Sequence, residues 1–296
     1  MSDLAPAQIE VLQRALRGKY GQGELSQGQL ADLERHTTGR LNEFRELLIP
    51  WLSKNAGLAS ANVLEIGAGT GASTVAMAEH GARVHGIDID AESLRVAELR
   101  CSLHGEKRTS FEVLNATEIG KFDDGFDLVI FFATLEHMTH AERLSALRNA
   151  WSMLPSGGFL GVVECPNRLW HYDNHTTLLN FFHWLPDDLA IDYARFVPRA
   201  EFRDAMTETA DRTELATGLA RWGRGASYHE IELAAGPIAE LVVLEGMDDF
   251  RRRADPVLDD YWRHSADGRY RDALMAVAPH VPSAFFYPWM NILIRK

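Results

Sequence analysis

An apolar run, Val63-Leu64-Glu65-Ile66, breaks into Gly67-Ala68-Gly69-Thr70-Gly71 and resumes as a helix-forming stretch from about Ala72 to His80. A strand that turns this sharply into a helix needs residues that take positive φ or leave room where a Cβ would stand. The helix that follows offers unbonded N–H groups at its start, which suits a polar or anionic ligand. Gly67, Gly69 and Ala72 also satisfy the G-x-G-x-x-G/A pattern of dinucleotide sites. The turn alone therefore fits a plain tight turn, a nicotinamide dinucleotide or another nucleoside cofactor.

The surroundings narrow this choice. After the turn, apolar runs alternate with helical stretches. Strands are expected at 83–87, 109–114, 126–132 and 159–164, and helices at 91–104 and 141–154. Strands that alternate with helices form parallel βαβ units, and continuous apolar runs suit strands buried on both faces. The expectation is an α/β fold with a doubly wound, mostly parallel seven-stranded sheet. Residues 1–58 read as an N-terminal helical cap and 59–165 as the core. Residues 166–235, where the alternation stops, read as an inserted helical substrate or lid region. Residues 236–296 are expected to complete the sheet, with strands at 240–245 and 285–296.

The 296 residues carry 30 basic and 42 acidic side chains, a formal net charge of −12. A chain this acidic is poorly suited to gripping phosphate backbones, so nucleic acid is not expected as a partner. Only two cysteines, Cys101 and Cys165, are present, which fits reduced thiols in a cytoplasmic protein. No basic stretch followed by an apolar run opens the chain, and no apolar run is long enough to span a membrane. A homodimer is compatible with all of this.

Asp88 closes the second strand, where its carboxylate can accept both ribose hydroxyls of a bound nucleoside. Together with the turn, this resembles the class I S-adenosylmethionine (SAM)-dependent methyltransferases. Other pieces follow in the family's order: Asn115-Ala116-Thr117, Phe126-Asp127-Leu128-Val129-Ile130 before Leu135-Glu136-His137-Met138, and Leu154-Pro155-Ser156-Gly157-Gly158. An NAD-dependent oxidoreductase would account for the turn and Asp88, but not for these. The resemblance implies a SAM cofactor, leaving as S-adenosylhomocysteine, and a Rossmann-like core. It implies that Glu65, Gly67, Ala68, Gly69 and Gly71 line the methionine and ribose, with Asp88 on the ribose and Ile89 against the adenine. It places Asn115, Ala116 and Thr117 beside the adenine, Asn115 standing where the family often has an acid. Phe132 and Ala133 would face the methionine.

A sulfonium methyl group is already electrophilic, so the protein must align a nucleophile and exclude water. A hydroxyl acceptor also needs a base, and histidine is the residue that titrates nearest neutrality. The segment 166–177 is dense in such groups. The expected base is His175, oriented by Asp173, with His171 as second choice. Trp170, Tyr172 and Trp184 are expected to wall a substrate pocket, with His137 as a further substrate neighbour. Tyr20 and Arg40 could reach the SAM carboxylate. No metal is expected from the His171/His175 or His137/His140 spacings. The function expected is transfer of a methyl group to a small-molecule hydroxyl, on a metabolite or saccharide-type acceptor. A non-catalytic SAM-binding protein is the remaining alternative.

Overall fold

The computed structural model describes residues 4–21, 23–122 and 125–296. Seven strands, β1 (Asn62–Ile66), β2 (Arg83–Asp88), β3 (Thr109–Val113), β4 (Leu128–Phe132), β5 (Phe159–Pro166), β6 (Val242–Val243) and β7 (Trp289–Arg295), form one sheet in the order β3-β2-β1-β4-β5-β7-β6. β1 pairs in parallel with β2, and β2 with β3, while β6 and β7 are antiparallel. The expected α/β sheet is therefore present. β4 is buried at all five positions, as a continuous apolar run in a parallel sheet should be. Among the described residues, no helix is long and apolar enough to cross a membrane.

The chain divides into two compact units: Met1–Ile130 with Met153–Phe159, and Phe131–Ser152 with Leu160–Lys296. In the first, helix Ala91–His104 ends where its caps dictate. The Asp90 side chain accepts the Glu92 N–H at 2.9 Å, and Gly105 takes φ 75° at the far end. The N-terminal helix Pro6–Arg17 turns Leu12 and Leu16 inward against Leu33 and Val96. Each such leucine, fully withdrawn from water, contributes about 1.5–3 kcal/mol. Helices Gln27–Glu34, Arg40–Glu43 and Ile49–Asn55 run on through two π-helical turns, Arg35–Gly39 and Phe44–Leu48. Arg100, fully buried, donates to the carbonyls of Thr70 (2.7 Å), Thr37 (2.8 Å) and His36 (2.6 Å). It thus ties the glycine turn to the N-terminal helices.

In the second unit, residues 166–235 contain helices Asp187–Tyr193, Ala200–Ala205, Arg212–Arg221 and Tyr228–Ala235. Phe182, Ala190, Phe202, Met206 and Leu219 form a core shared by the first three of these. The end of the chain departs from the sequence expectation. The strand foreseen at 240–245 is only Val242–Val243, and helices Met247–Ala254, Pro256–His264 and Ala266–Val277 follow it. Asp255 caps one of these through the N–H groups of Val257 and Leu258, and Ser265 caps the next through that of Gly268. Val257, Tyr261 and Val277 on these helices face solvent, so their apolar residues do not mark one buried side in the sequence.

Candidate active site

In the first unit, each glycine of the turn has a separate duty. Gly67, Gly69 and Gly71 all have positive φ (84°, 49° and 78°). A Cβ on Gly71 would stand 2.8 Å from both Cα and Cβ of Ala97, so the helix Ala91–His104 forbids one. A Cβ on Gly69 would meet no protein atom within 4 Å. The turn is thus packed tight at Gly71 and left open at Gly69, as a cradle for a ligand requires. Asp88 accepts the N–H of Gly69 on Oδ2 and that of Asp90 on Oδ1, both at 2.9 Å. A carboxylate has about four acceptor positions, so two remain for ribose hydroxyls. Ile89 beside it is 75% exposed, an apolar platform open on one side. Asn115 Oδ1 is taken by the Thr117 N–H (3.0 Å) and hydroxyl (2.9 Å), which leaves only its amide nitrogen for an adenine. Ala116 is buried, and Ala68 is buried with its N–H bonded to Ile87. This set fits an adenosyl cofactor.

Glu65 corrects the expectation made for it. It is fully buried, and its two oxygens accept the hydroxyls of Ser73 and Thr74. Burial raises its pKa to about 7, against the opposing pull of those hydroxyls. It braces the turn from behind instead of lining a ligand. Tyr20 and Arg40 are likewise engaged: the Tyr20 hydroxyl donates to Asp32 at 2.6 Å, and Arg40 pairs with Glu43 at 2.9 Å. Asp88→Ala should weaken SAM binding at least tenfold, by losing two hydrogen bonds to a charged acceptor, while the melting temperature falls by only a few degrees. Calorimetric titration beside a thermal melt checks both halves.

The second unit gathers the titratable groups. Ala133, just past β4, takes φ 42° and bonds its N–H to Val163 at 3.0 Å; Phe132 before it is buried. The chain then turns through Leu135–His137. Arg143 holds this turn by donating to the carbonyls of Met138 (3.1 Å) and Glu136 (3.3 Å), and it also reaches Gly225 O and Glu230. Glu136 is fully buried, and neither carboxylate oxygen has a hydrogen-bond partner. Burial lifts its pKa to about 8, with the charge of Arg143 acting in the opposite direction.

The rings of His137 and His175 lie 5.4 Å apart. His137 Nδ1 is 2.8 Å from the Arg221 carbonyl, so it must carry the proton. Thr176 gives its own proton to the carbonyl of Trp222 (2.8 Å) or Gly223 (3.1 Å), and so it accepts from His175 Nδ1 at 2.8 Å. Both rings therefore keep a lone pair on Nε2. Burial, then the proximity of His137, lowers the pKa of His175 to about 4, so the ring is neutral at pH 7. Gly223, at φ 114°, makes room: a Cβ there would stand 2.5 Å from the His175 ring. Glycine at 223 is a position that shapes this cluster and that sequence reasoning missed, since nothing local distinguishes it from an ordinary helix stop.

The remaining expectations for the segment 166–184 change. Asp173 does not orient the His175 ring. Its Oδ1 accepts the backbone N–H groups of His175 and Thr176, and its Oδ2 accepts the N–H and hydroxyl of Thr177. Its ionic partner is His183, at 3.3 Å. A carboxylate two residues before three free amides is captured by the turn it starts. His171 is occupied elsewhere, between Asn180 (3.2 Å) and Asp267 (3.1 Å). Trp170 walls no pocket: it is buried against Trp262, Tyr287 and Tyr270. Trp184 is 51% exposed and packs on Phe181, and Tyr172 also faces solvent.

A family profile for methyltransferase domains matches residues 63–158, from β1 to the turn before β5. The chain is 29% identical over 180 residues to a ubiquinone biosynthesis O-methyltransferase of Thiobacillus denitrificans, covering 60% of this chain and 76% of that one. It is 38% identical over 99 residues to the protein of that name in Aromatoleum aromaticum, covering 33% and 42%. In the latter case the chain spans less than half the length of its relative. Among solved structures, a magnesium protoporphyrin IX methyltransferase from Synechocystis with bound SAM is similar at TM-score 0.40 and 17% identity, over 58% of this chain and 83% of that one. The matched profile runs through the open cradle at Gly69, the carboxylate of Asp88 and the turn after β4, so that residues 63–158 are similar to a methyltransferase domain.

Proposed function

We propose that the protein transfers the methyl group of SAM to a hydroxyl of a small molecule, releasing S-adenosylhomocysteine. The observation that carries this reading is the presentation of neutral imidazole lone pairs at His137 and His175 beside a buried carboxylate. A hydroxyl must shed its proton as it attacks, whereas an amine need not do so beforehand. When bound, SAM supplies the electrophilic methyl group. His175 Nε2 accepts the hydroxyl proton, and the Thr176 hydroxyl fixes the ring from the other side. The names of the two relatives support an oxygen acceptor, and the acidity of the chain argues against nucleic acid. Both cysteines are free and buried, which fits a reducing cytoplasm. Metabolite and saccharide hydroxyls are the acceptors to try first.

The experiment titrates SAM, S-adenosylhomocysteine and NAD calorimetrically, then follows S-adenosylhomocysteine release over a panel of phenols, hydroxy acids and glycosides. The adenosyl ligands should bind and NAD should not. His175→Ala should lower kcat by about 10²–10⁴, the range of a lost general base, with the SAM affinity within a few-fold of wild type. An unchanged kcat would remove His175 from proton transfer. Binding of SAM with no product on any acceptor would favour a non-catalytic binder.

A further inference from the structure

We propose that Glu136, His137 and His175 form a binding site for one divalent first-row transition-metal cation. One donor atom from each residue lies within 4.8 Å of the other two. Three features make this more than proximity. The three groups meet at short range: two imidazoles whose Nδ1 protons are committed elsewhere, and the carboxyl of Glu136. The Glu136 carboxyl is fully buried and neither oxygen has a hydrogen-bond partner, which leaves both open to a ligand. The groups do not satisfy one another either, since His137 Nε2 and Glu136 Oε1 stand 3.9 Å apart, beyond hydrogen-bond reach.

The surroundings resemble those that hold metal-binding histidines. Each ring donates its Nδ1 proton to a fixed acceptor, the Arg221 carbonyl or the Thr176 hydroxyl, which sets the ligating tautomer. The Arg221 guanidinium returns to the His137 carbonyl at 2.9 Å and to both oxygens of Glu142, at 2.7 and 2.6 Å. Bonds of about 2.0–2.2 Å to nitrogen and oxygen place neighbouring ligands roughly 3–3.5 Å apart. The three donors must therefore close by roughly 1–2 Å from separations of up to 4.8 Å. Two imidazoles and one carboxylate suit manganese, iron, cobalt, nickel or zinc better than the all-oxygen preference of calcium or magnesium. Three protein ligands leave coordination positions open. With its Nε2 on the cation His175 is not free to act as the base; a hydroxyl bound at an open position would instead be acidified and lose its proton to solvent, the methyl of SAM then passing to the bound oxygen. That use rests on the transfer reading above; the existence of the site does not.

The test dialyses the full-length protein against EDTA and titrates it with CoCl₂ and MnCl₂. Binding is followed by calorimetry, and the visible cobalt bands report nitrogen ligation. One cation per chain is expected. Glu136→Gln and His175→Ala should each weaken it at least about a hundredfold, since each removes a ligand, while His171→Ala should bind as wild type. Should a ligand variant fail to fold, Mn²⁺ added to the unaltered protein should broaden the ring-proton resonances of His137 and His175 before those of the other histidines. Absence of stoichiometric binding, equal binding by all variants, or uniform broadening overturns the site. SAM titration of the same samples separates the two readings: lost SAM binding with an intact cation sinks the transfer reading alone.

Discussion

Gly71→Ala should cost the protein about 2–5 kcal/mol, whereas Gly69→Ala should leave the fold nearly intact and abolish measurable SAM binding. The two residues stand two apart in the same turn and share a left-handed backbone, so a general argument about glycine cannot separate them. Positive φ costs any L residue about 1–2 kcal/mol. At Gly71 the added methyl also stands 2.8 Å from Ala97 Cα and Cβ. Overpacking of that kind costs about 1–3 kcal/mol more. Gly69 carries only the backbone term, because the space before it is open. That space is where a cofactor would lie, so the methyl competes with the ligand and not with the protein. Thermal melts and calorimetry on the two variants decide this. Equal melting temperatures would mean that the contact with Ala97 relaxes freely, and undiminished SAM binding by Gly69→Ala would place the cofactor elsewhere.

Asp173→Ala should be the more damaging change in the second unit, by about 3–5 kcal/mol, the cost of leaving the buried His183 ring and several amides without their acceptor. At the scale of a chain this long, that is a fall in melting temperature of about 10 °C. Asp173→Asn should lose less, since it keeps one acceptor oxygen. The pH dependence gives the signature. Burial alone would raise the Asp173 pKa, but the hydrogen bond and charge of His183, with the Thr176 N–H and the Thr177 hydroxyl, outweigh it and hold the carboxyl well below the usual range. The unfolded carboxyl titrates near 3.9, so the stabilisation is complete above that pH and is lost as pH falls from about 4 toward the folded value. Wild type and Asp173→Asn should therefore differ most near neutrality and converge below about pH 4. Denaturant midpoints at several pH values test this, and a constant gap would mean that the charge is not what Asp173 contributes.

The parts of the molecule that were legible are those whose signals are local. The turn after β1 announces itself through three glycines in five residues, and the helix Ala91–His104 through a cap at Asp90 and a stop at Gly105. The candidate catalytic cluster is another matter. His137 and His175 were each visible, but their meeting depends on the loop at 222–225, where Gly223 admits the ring and Gly225 lies against the backbone of Arg168 and Pro166. No spacing rule reaches across that distance. Aromatic density around Trp170 suggested a pocket and proved to be core, because Trp262 and Tyr270 come from helices the sequence did not reveal. Asp173 was paired with its sequence neighbour when its turn had already committed it to amides and to His183.

Arg100 carries a consequence for how the N-terminal region can change over time. All three of its partners are main-chain carbonyls, at His36, Thr37 and Thr70. A clamp that reads only backbone is blind to the side chains it holds, so those positions are free of any demand from it and can drift. The whole constraint falls instead on one residue. Lysine, a point charge without a planar fork, cannot span three carbonyls at once. Tolerance on one side of the contact is thus matched by intolerance on the other, and position 100 should admit fewer replacements than any residue it touches.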